Sequence, residues 1–237
     1  MITYNNILFL DIETVPQYQH FEELPPSWQS LWEHKSTYLL KNALDENVAS
    51  IYQRAGIYAE FGKIICISCG IIQGNQQSKK LLIKSYSGDN EKELIQGFVE
   101  MLNKWSNGEQ RLLCAHNGKE FDFPYLCRRM MIHQIPLPGL LQIAGKKPWE
   151  VKLLDTMDMW KFGDYKHFTS LDLLAHLFNI KSSKDDIDGS MVAKIYYEDR
   201  DIGRIVTYCQ KDVVTLTQVY LRMTGEETIS AENIEIK

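Results

Sequence analysis

The sequence lacks any long hydrophobic segment. Its longest apolar run, residues 64–72, contains Ser68 and is far shorter than the roughly 18 residues that a membrane span needs. The N-terminus also lacks the basic region of a secretory signal, and its apolar residues lead directly into Asp11. We therefore expect no membrane anchor and a cytoplasmic protein.

Cysteine is scarce as well. The five cysteines are an odd number in a chain without an export signal, which argues against a disulfide framework. Cys66 and Cys69 have the C-x-x-C spacing of some zinc and redox sites, but they lie in an apolar, β-rich run. Because residues three apart on a strand point to opposite faces, the two sulfurs could share a metal only across a turn. We expect both to be buried as small hydrophobic residues.

Positive charge is not in excess either. The 26 Lys and Arg residues are outnumbered by 31 Asp and Glu residues, which gives a net charge of −5. This balance argues against a protein that binds nucleic acid mainly through a basic surface. It does not exclude an enzyme that acts on nucleic acid, because bound divalent cations would offset clustered acidic side chains.

The pattern of apolar residues predicts a layered α/β fold. With 237 residues, 44% of them hydrophobic, the chain can form one large core. Strands are predicted at residues 7–13, 64–72, 80–86, 111–115 and 152–155, with a hairpin formed by the second and third. Helices are predicted from residue 89 to a stop at Gly108, and at residues 122–132, 170–178, 191–197 and 201–224. This order of elements predicts a mixed sheet flanked by helices.

Residues 1–225 are predicted to form one domain with an insertion. The inserted segment, about residues 16–62, contains Pro25, Pro26 and several aromatic residues, and it is too apolar for a linker. It is expected to pack on the main body, although Trp28 and Trp32 could instead stack on a substrate strand. Residues 226–237 are polar and are expected to form a frayed C-terminal tail.

Three short motifs contain the acidic residues that could carry chemistry. Asp11 and Glu13 are two apart on a strand and project from one face, although solvated strand ends often carry acids. Asp122 lies between a strand and a helix, where α/β sheets bind ligands, but it could simply be a helix N-cap. Tyr208 and Asp212 share one helical face, which could also be an ordinary polar face.

In this order, and on elements of these types, the three motifs resemble the DEDD family of 3′-to-5′ exonucleases, in the subgroup whose last motif contains a tyrosine. In finer detail, the chain resembles bacterial predicted exonucleases related to the proofreading domain of family B DNA polymerases. The segments that carry this resemblance are EFGKIICIS at 60–68, AHNGKEFDFPYL at 115–126, DDIDGSMV at 185–192 and IVTYCQKDVV at 205–214. The resemblance covers nearly the whole chain, which is too short to include a polymerase.

The resemblance implies an RNase H-like fold with a mixed central sheet and flanking helices. It also implies hydrolysis of phosphodiester bonds from the 3′ end of a single-stranded nucleic acid, with DNA favoured over RNA, and release of nucleoside 5′-monophosphates. Two divalent cations would flank the scissile phosphate. They would be Mg²⁺ or Mn²⁺, because ligand sets made only of oxygen atoms favour hard ions. No membrane partner is expected.

Carried over to this sequence, the resemblance assigns metal binding to Asp11, Glu13, Asp122 and Asp212. Asp11 would bridge both ions, Glu13 and Asp212 would complete the ion on the nucleophile side, and Asp122 would hold the other. Tyr208 would orient the attacking water. Since the pKa of a free phenol is near 10, positioning suits this side chain better than the role of general base.

Other positions match substrate contacts or the rim of the site in the family. Thr14, Asn117 and Phe121 are expected to contact the terminal nucleotide, although Phe121 could instead be a core residue. Asp155 matches an acid at the rim, or could merely cap a loop. Two other functions remain open. The chain could be an exoribonuclease that trims RNA with the same catalytic residues, or a non-catalytic binding module on the same fold.

Overall fold

The structure is a computed structural model that describes residues 4–41, 45–107, 110–164, 168–183 and 186–237. Within these residues, one sheet contains the strands β1 (Ile7–Pro16), β2 (Gly62–Gln73), β3 (Lys80–Ser87), β4 (Leu112–Ala115), β5 (Leu153–Asp155) and β6 (Ile234–Ile236). The helices are α1 (Pro26–Leu40), α2 (Val48–Ile51), α3 (Glu91–Trp105), α4 (Asp122–Ile132), α5 (Thr156–Lys161), α6 (Leu171–Leu177), α7 (Val192–Lys194) and α8 (Ile202–Met223). None of these described helices has both the length and the apolar character needed to cross a bilayer.

Strand β1 lies inside the sheet, whose order is β5-β4-β1-β2-β3-β6. It runs antiparallel to β2 and parallel to β4. Strands β2 and β3 form an antiparallel hairpin, and β5 and β6 run parallel to their neighbours. The predicted hairpin and the predicted mixed sheet are therefore confirmed. The register between β1 and β2 shifts between Glu13 and Thr14, directly after the two acids of the strand.

The alternation of side chains along β1 assigns each face of the sheet to different helices. Leu8, Leu10 and Ile12 pack with buried residues of α3 and α4 on one face. Ile7 and Phe9 pack with α8 on the other face. Because side chains alternate with a period of two, the acids at positions 11 and 13 lie on the α8 face.

The predicted helices occur within a few residues of their expected positions, with one exception. Helix α3 ends at Trp105, whereas Gly108, the predicted stop, lies outside the described residues. Only Val192–Lys194 of the predicted helix 191–197 is α-helical, and the chain continues as a π-helical turn, Ile195–Asp199. Within the motif at 185–192, residue 185 also lies outside the described part of the chain.

The inserted segment forms a small aromatic core of its own. The Trp32 side chain is fully buried, contacts the rings of Tyr52 and Phe61, and donates a hydrogen bond of 3.0 Å to the Val48 carbonyl. Trp28 packs edge-on against Phe61. The Trp32 ring has no exposed face, so the prediction that it stacks on a substrate strand is wrong. The boundaries of the insertion stay a prediction.

The C-terminal residues do not fray as expected. Residues 234–236 form β6, which pairs with β3 at the edge of the sheet. Upstream, the Gln218 side chain exchanges hydrogen bonds of 2.6 and 2.8 Å with the backbone of Ile229, and Glu226 forms an ion pair of 2.7 Å with the buried Lys79. These contacts attach a polar segment that has little apolar patterning of its own.

Candidate active site

Asp11 and Glu13 project from the polar end of β1 beneath α8. Glu13 is buried and Asp11 is half-buried. One carboxylate oxygen of each lies within 4.8 Å of the other and of the Cys209 sulfur. The i, i+2 spacing thus places two acids side by side at a site where little water can reach them.

Asp122 reaches the same site from the other side of the strand. It is the first residue of α4 and is only 4% exposed. Burial raises the pKa of its carboxyl group, and the charges of Asp155 and Asp212 act on it in the same direction. The N-cap position is occupied by Phe121, whose side chain makes no capping hydrogen bond. The interpretation of Asp122 as an N-cap is therefore wrong, because the helix begins one residue earlier than that interpretation requires.

Helix α8 contributes Tyr208 and Asp212. The two residues are one turn apart, and the Tyr208 hydroxyl donates a hydrogen bond to the Asp212 carboxylate. Tyr208 is buried, and the charges of Glu13 and Asp11 act on its ring hydroxyl. The spacing recognised in the sequence thus directs a phenol and a carboxylate at the acids of β1.

The electrostatics of the site are dominated by unbalanced negative charge. Burial, followed by the carboxylates of Asp212, Glu13 and Asp122, raises the pKa of Asp11 well above its usual value. Burial and the Asp212 charge do the same to Glu13. Burial also raises the pKa of Asp122 to about 7, and neighbouring carboxylates add to this effect. Carboxylates this close together are stabilised by bound protons or cations. The four acids therefore fit a site for metal ions.

Cys209 also belongs to the site, although the sequence motifs gave it no role. Its Sγ lies 3.3 Å from Oδ2 of Asp11 and donates a hydrogen bond to that carboxylate. Burial raises the pKa of the Cys209 thiol well above its usual value, so the group remains a neutral donor. The donor atoms that remain for a cation are carboxylate oxygens, which suit hard ions such as Mg²⁺ and Mn²⁺. The only signal in the sequence was its position next to Tyr208.

Cys66 and Cys69 behave as expected of buried small residues. They lie on opposite faces of β2, since Cys66 packs with residues of α8 and Cys69 packs with residues of α3. Burial raises the pKa of the Cys69 thiol to about 12. A shared metal between these two sulfurs is excluded by this geometry.

The turn after β4 is organised by Asp155. Its carboxylate accepts hydrogen bonds from the backbone of Asn117 at 2.9 Å and Lys119 at 3.0 Å, and caps α5 through Met157 at 2.9 Å. The capping interpretation of Asp155 is therefore correct. Asn117 adopts a left-handed backbone conformation with φ of 59°. Among the described residues, its buried Oδ1 accepts no hydrogen bond.

A cleft of about 590 Å³ opens beside Glu13, and we call it the β1 cleft. Of the predicted substrate contacts, Thr14 and Phe121 line it together with Glu13, whereas Asn117 lies at the neighbouring turn. The cleft volume falls within the roughly 300–1,000 Å³ typical of small-molecule sites. The remaining wall comes from two further residues of β1, from the inserted segment and from the chain before α8: Ile12, Pro16, Gln53, Arg54, Gly56, Ile57, Gly189, Ser190 and Ala193.

Comparison with known proteins agrees with this architecture. Residues 57–235 match the family described as a predicted 3′-5′ exonuclease related to the exonuclease domain of PolB. A search among curated proteins finds no match. The chain is similar in structure to the family B DNA polymerase from the hyperthermophilic archaeon Pyrobaculum calidifontis, with a TM-score of 0.54 and 14% sequence identity. The alignment covers 91% of this chain and 24% of the polymerase, and it confirms the expected RNase H-like fold.

The matched region contains Asp122, Tyr208 and Asp212 but begins after the first motif. The structure supplies the missing part, because β1 brings Asp11 and Glu13 to the same point. The match covers more than half of the chain. The chain therefore belongs to the family of predicted 3′-5′ exonucleases related to the exonuclease domain of PolB.

Proposed function

We propose that the chain hydrolyses phosphodiester bonds from the 3′ end of single-stranded nucleic acid, with DNA favoured over RNA, and releases nucleoside 5′-monophosphates. The observation that carries this proposal is the convergence of acids from β1, α4 and α8 at one end of the sheet, beside a cleft. The like charges of these acids repel one another, and this repulsion destabilises the folded protein. Bound cations would remove the repulsion, so the cluster indicates a cation-binding site.

Asp11, Glu13, Asp122 and Asp212 would hold two divalent cations, Mg²⁺ or Mn²⁺. Such ions, when bound, activate water and stabilise the charge on the departing 3′ oxygen. The carboxylates give them a fixed, water-poor site, in which Asp11 is also oriented by the Cys209 thiol. The charges of the other three acids all act on Asp11, which supports its assignment as the shared ligand.

Tyr208 would position the attacking water. Burial and the surrounding carboxylates raise the pKa of its hydroxyl far above the usual value, so the phenol keeps its proton. A neutral hydroxyl that donates to Asp212 can accept a hydrogen bond from water and direct a lone pair of that water. Thr14 and Phe121, on the walls of the β1 cleft, would contact the terminal nucleotide.

A direct test uses a 5′-labelled single strand incubated with Mn²⁺, with Mg²⁺ and with EDTA. We expect stepwise shortening from the 3′ end in either metal and none in EDTA. Asp11→Asn should lower the rate by at least about 10³-fold, because one carboxylate of the site is lost. This variant also controls for contaminating nucleases, since they would be unaffected by it.

Matched DNA and RNA strands in the same assay decide the substrate. Faster shortening of DNA supports the proposal, whereas faster shortening of RNA replaces it with an exoribonuclease. Binding of the labelled strand without any shortening, in every metal, would show a non-catalytic module instead.

A further inference from the structure

The inserted segment contributes directly to the β1 cleft, but not through its tryptophans. Its 3-10 turn, Tyr52–Ile57, follows α2. Three of its residues with exposed side chains, Gln53, Arg54 and Ile57, line the cleft together with Glu13 and Phe121. We call this element the Tyr52–Ile57 turn. It is the part of the insertion that faces the candidate active site.

The Tyr52–Ile57 turn is held rigidly against the main body. A Cβ on Gly56 would lie only 3.0 Å from the Val15 carbonyl carbon, so glycine permits the turn to touch the backbone of β1. The Gly56 carbonyl accepts a buried hydrogen bond of 2.8 Å from the Tyr125 hydroxyl of α4. Tyr52 and Ala55 are fully buried. The turn is therefore a preorganised wall, which lowers the entropic cost of binding a ligand against it.

Ile57 is the apolar residue that this wall exposes. Its side chain is 54% exposed although Tyr52 and Ala55 of the same turn are fully buried. Ile12, Pro16 and Ala193 add apolar surface to the same cleft. A nucleobase has an apolar face of matching character, whereas the sugar and phosphate suit the acidic end of the cleft, where bound cations would lie.

The neighbouring Arg54 also lines the cleft. Its Nη2 forms an ion pair of 2.7 Å with Glu46 of the same segment, at the protein surface. The wall therefore offers a ligand an aliphatic surface at Ile57, beside a guanidinium that is already paired with a carboxylate.

We propose that Ile57 contacts the base of the 3′-terminal nucleotide and so holds the strand end in the β1 cleft, beside the acids of β1. This inference rests on the proposed function, because it takes the β1 cleft as the site of the strand end. Ile57 is then a substrate-binding residue, contributed by the insertion, whose contribution depends on the presence of a base.

The test compares Ile57→Ala with Leu31→Ala. Leu31 is a matched control, because it is 55% exposed, belongs to α1 of the same insertion and does not line the cleft. On single-stranded DNA, Ile57→Ala should raise KM about 3- to 10-fold with kcat changed by less than about 2-fold, and Leu31→Ala should change neither. Ile57→Leu should restore KM. Thermal unfolding checks that both alanine variants fold.

A strand with an abasic 3′-terminal nucleotide gives the sharper readout. If Ile57 contacts the base, wild type and Ile57→Ala should act on this strand with the same KM. The strand has no terminal base, so neither protein can form the contact. An equal KM defect on normal and abasic strands would overturn the inference, as would an unchanged KM on the normal strand.

A second measurement separates this inference from the proposed function. The dissociation constant is measured by fluorescence anisotropy, with Mn²⁺, for a strand whose 3′-terminal linkage is a non-hydrolysable methylenephosphonate. If the wild type hydrolyses no strand, the proposed function fails. The role of Ile57 in binding then stands if Ile57→Ala weakens binding about 3- to 10-fold relative to Leu31→Ala, and falls if the two variants bind alike.

Discussion

Tyr208 shows how the surroundings of one side chain determine its chemistry. Its hydroxyl is buried, donates to Asp212, and faces the charges of Asp11 and Glu13. Each of these effects disfavours the phenolate and raises the pKa of the group. The residue can therefore position water by hydrogen bonding, but it cannot act as a base in the neutral range.

We expect Tyr208→Phe to lower kcat about 10- to 100-fold, because water loses one orienting partner while the four carboxylates remain. The KM for the strand and the increase in melting temperature caused by Mn²⁺ should be retained. The shape of the pH–rate profile should also stay the same, since the phenol does not titrate in the working range. Loss of an alkaline limb from this profile in the variant would contradict the positioning role.

At the scale of elements, a buried ion cluster joins β2, α3 and α4. Glu91, at the start of α3, accepts hydrogen bonds from the Ile64 backbone at 2.7 Å, from Nε of Arg129 at 2.8 Å and from His133 at 2.6 Å. Arg129 also donates to the Ala59 carbonyl at 2.8 Å. This carboxylate thus fixes α4, whose first residue is Asp122, relative to the sheet.

Glu91→Gln should lower the free energy of unfolding by about 3–5 kcal/mol, because it leaves the Arg129 guanidinium buried without its counter-charge. Glu46→Gln provides the control, since it breaks the solvent-exposed pair with Arg54 and should cost no more than about 1 kcal/mol. Urea denaturation of both variants and the wild type measures the difference. A loss at Glu91 as small as that at Glu46 would show that the cluster does not hold α4.

At the scale of the whole molecule, the acids of the site couple stability to pH and to metal. A carboxyl group whose pKa is raised by folding favours the folded state while it is protonated. That contribution is present below the unfolded-state pKa and is lost as the pH rises through the folded-state pKa. For Asp122 this places the loss between its ordinary value of 3.8 and about 7. Cations that bind only the folded protein offset the loss by mass action.

In EDTA, the melting temperature should therefore fall as the pH is raised from about 5 to about 8, and Mn²⁺ should restore it at the upper end. Asp122→Asn removes one of the repelling charges and should raise the metal-free stability at about pH 8 by on the order of 1–4 kcal/mol. Differential scanning calorimetry at several pH values measures both effects. A melting temperature that is independent of pH in EDTA would contradict this coupling.

Much of the fold and the acidic motifs could be predicted from the sequence alone. The hairpin of β2 and β3, the strand of Asp11 and Glu13, and the helix of Tyr208 and Asp212 follow from local periodicity, because side chains repeat every two residues on strands and about every 3.6 on helices. These patterns also place each acid on the correct face of its own element.

Only the tertiary structure decided what those faces meet. Local pattern cannot show that Cys209 donates to Asp11, that Asp155 holds the Asn117 turn, or that residues 234–236 complete the sheet. It also assigned the possible substrate contacts of the insertion to its tryptophans, whereas packing buries Trp32 and exposes Ile57 at the cleft. These outcomes depend on contacts between segments far apart in the chain, and such contacts are set by packing of the whole core rather than by the preferences of any one element.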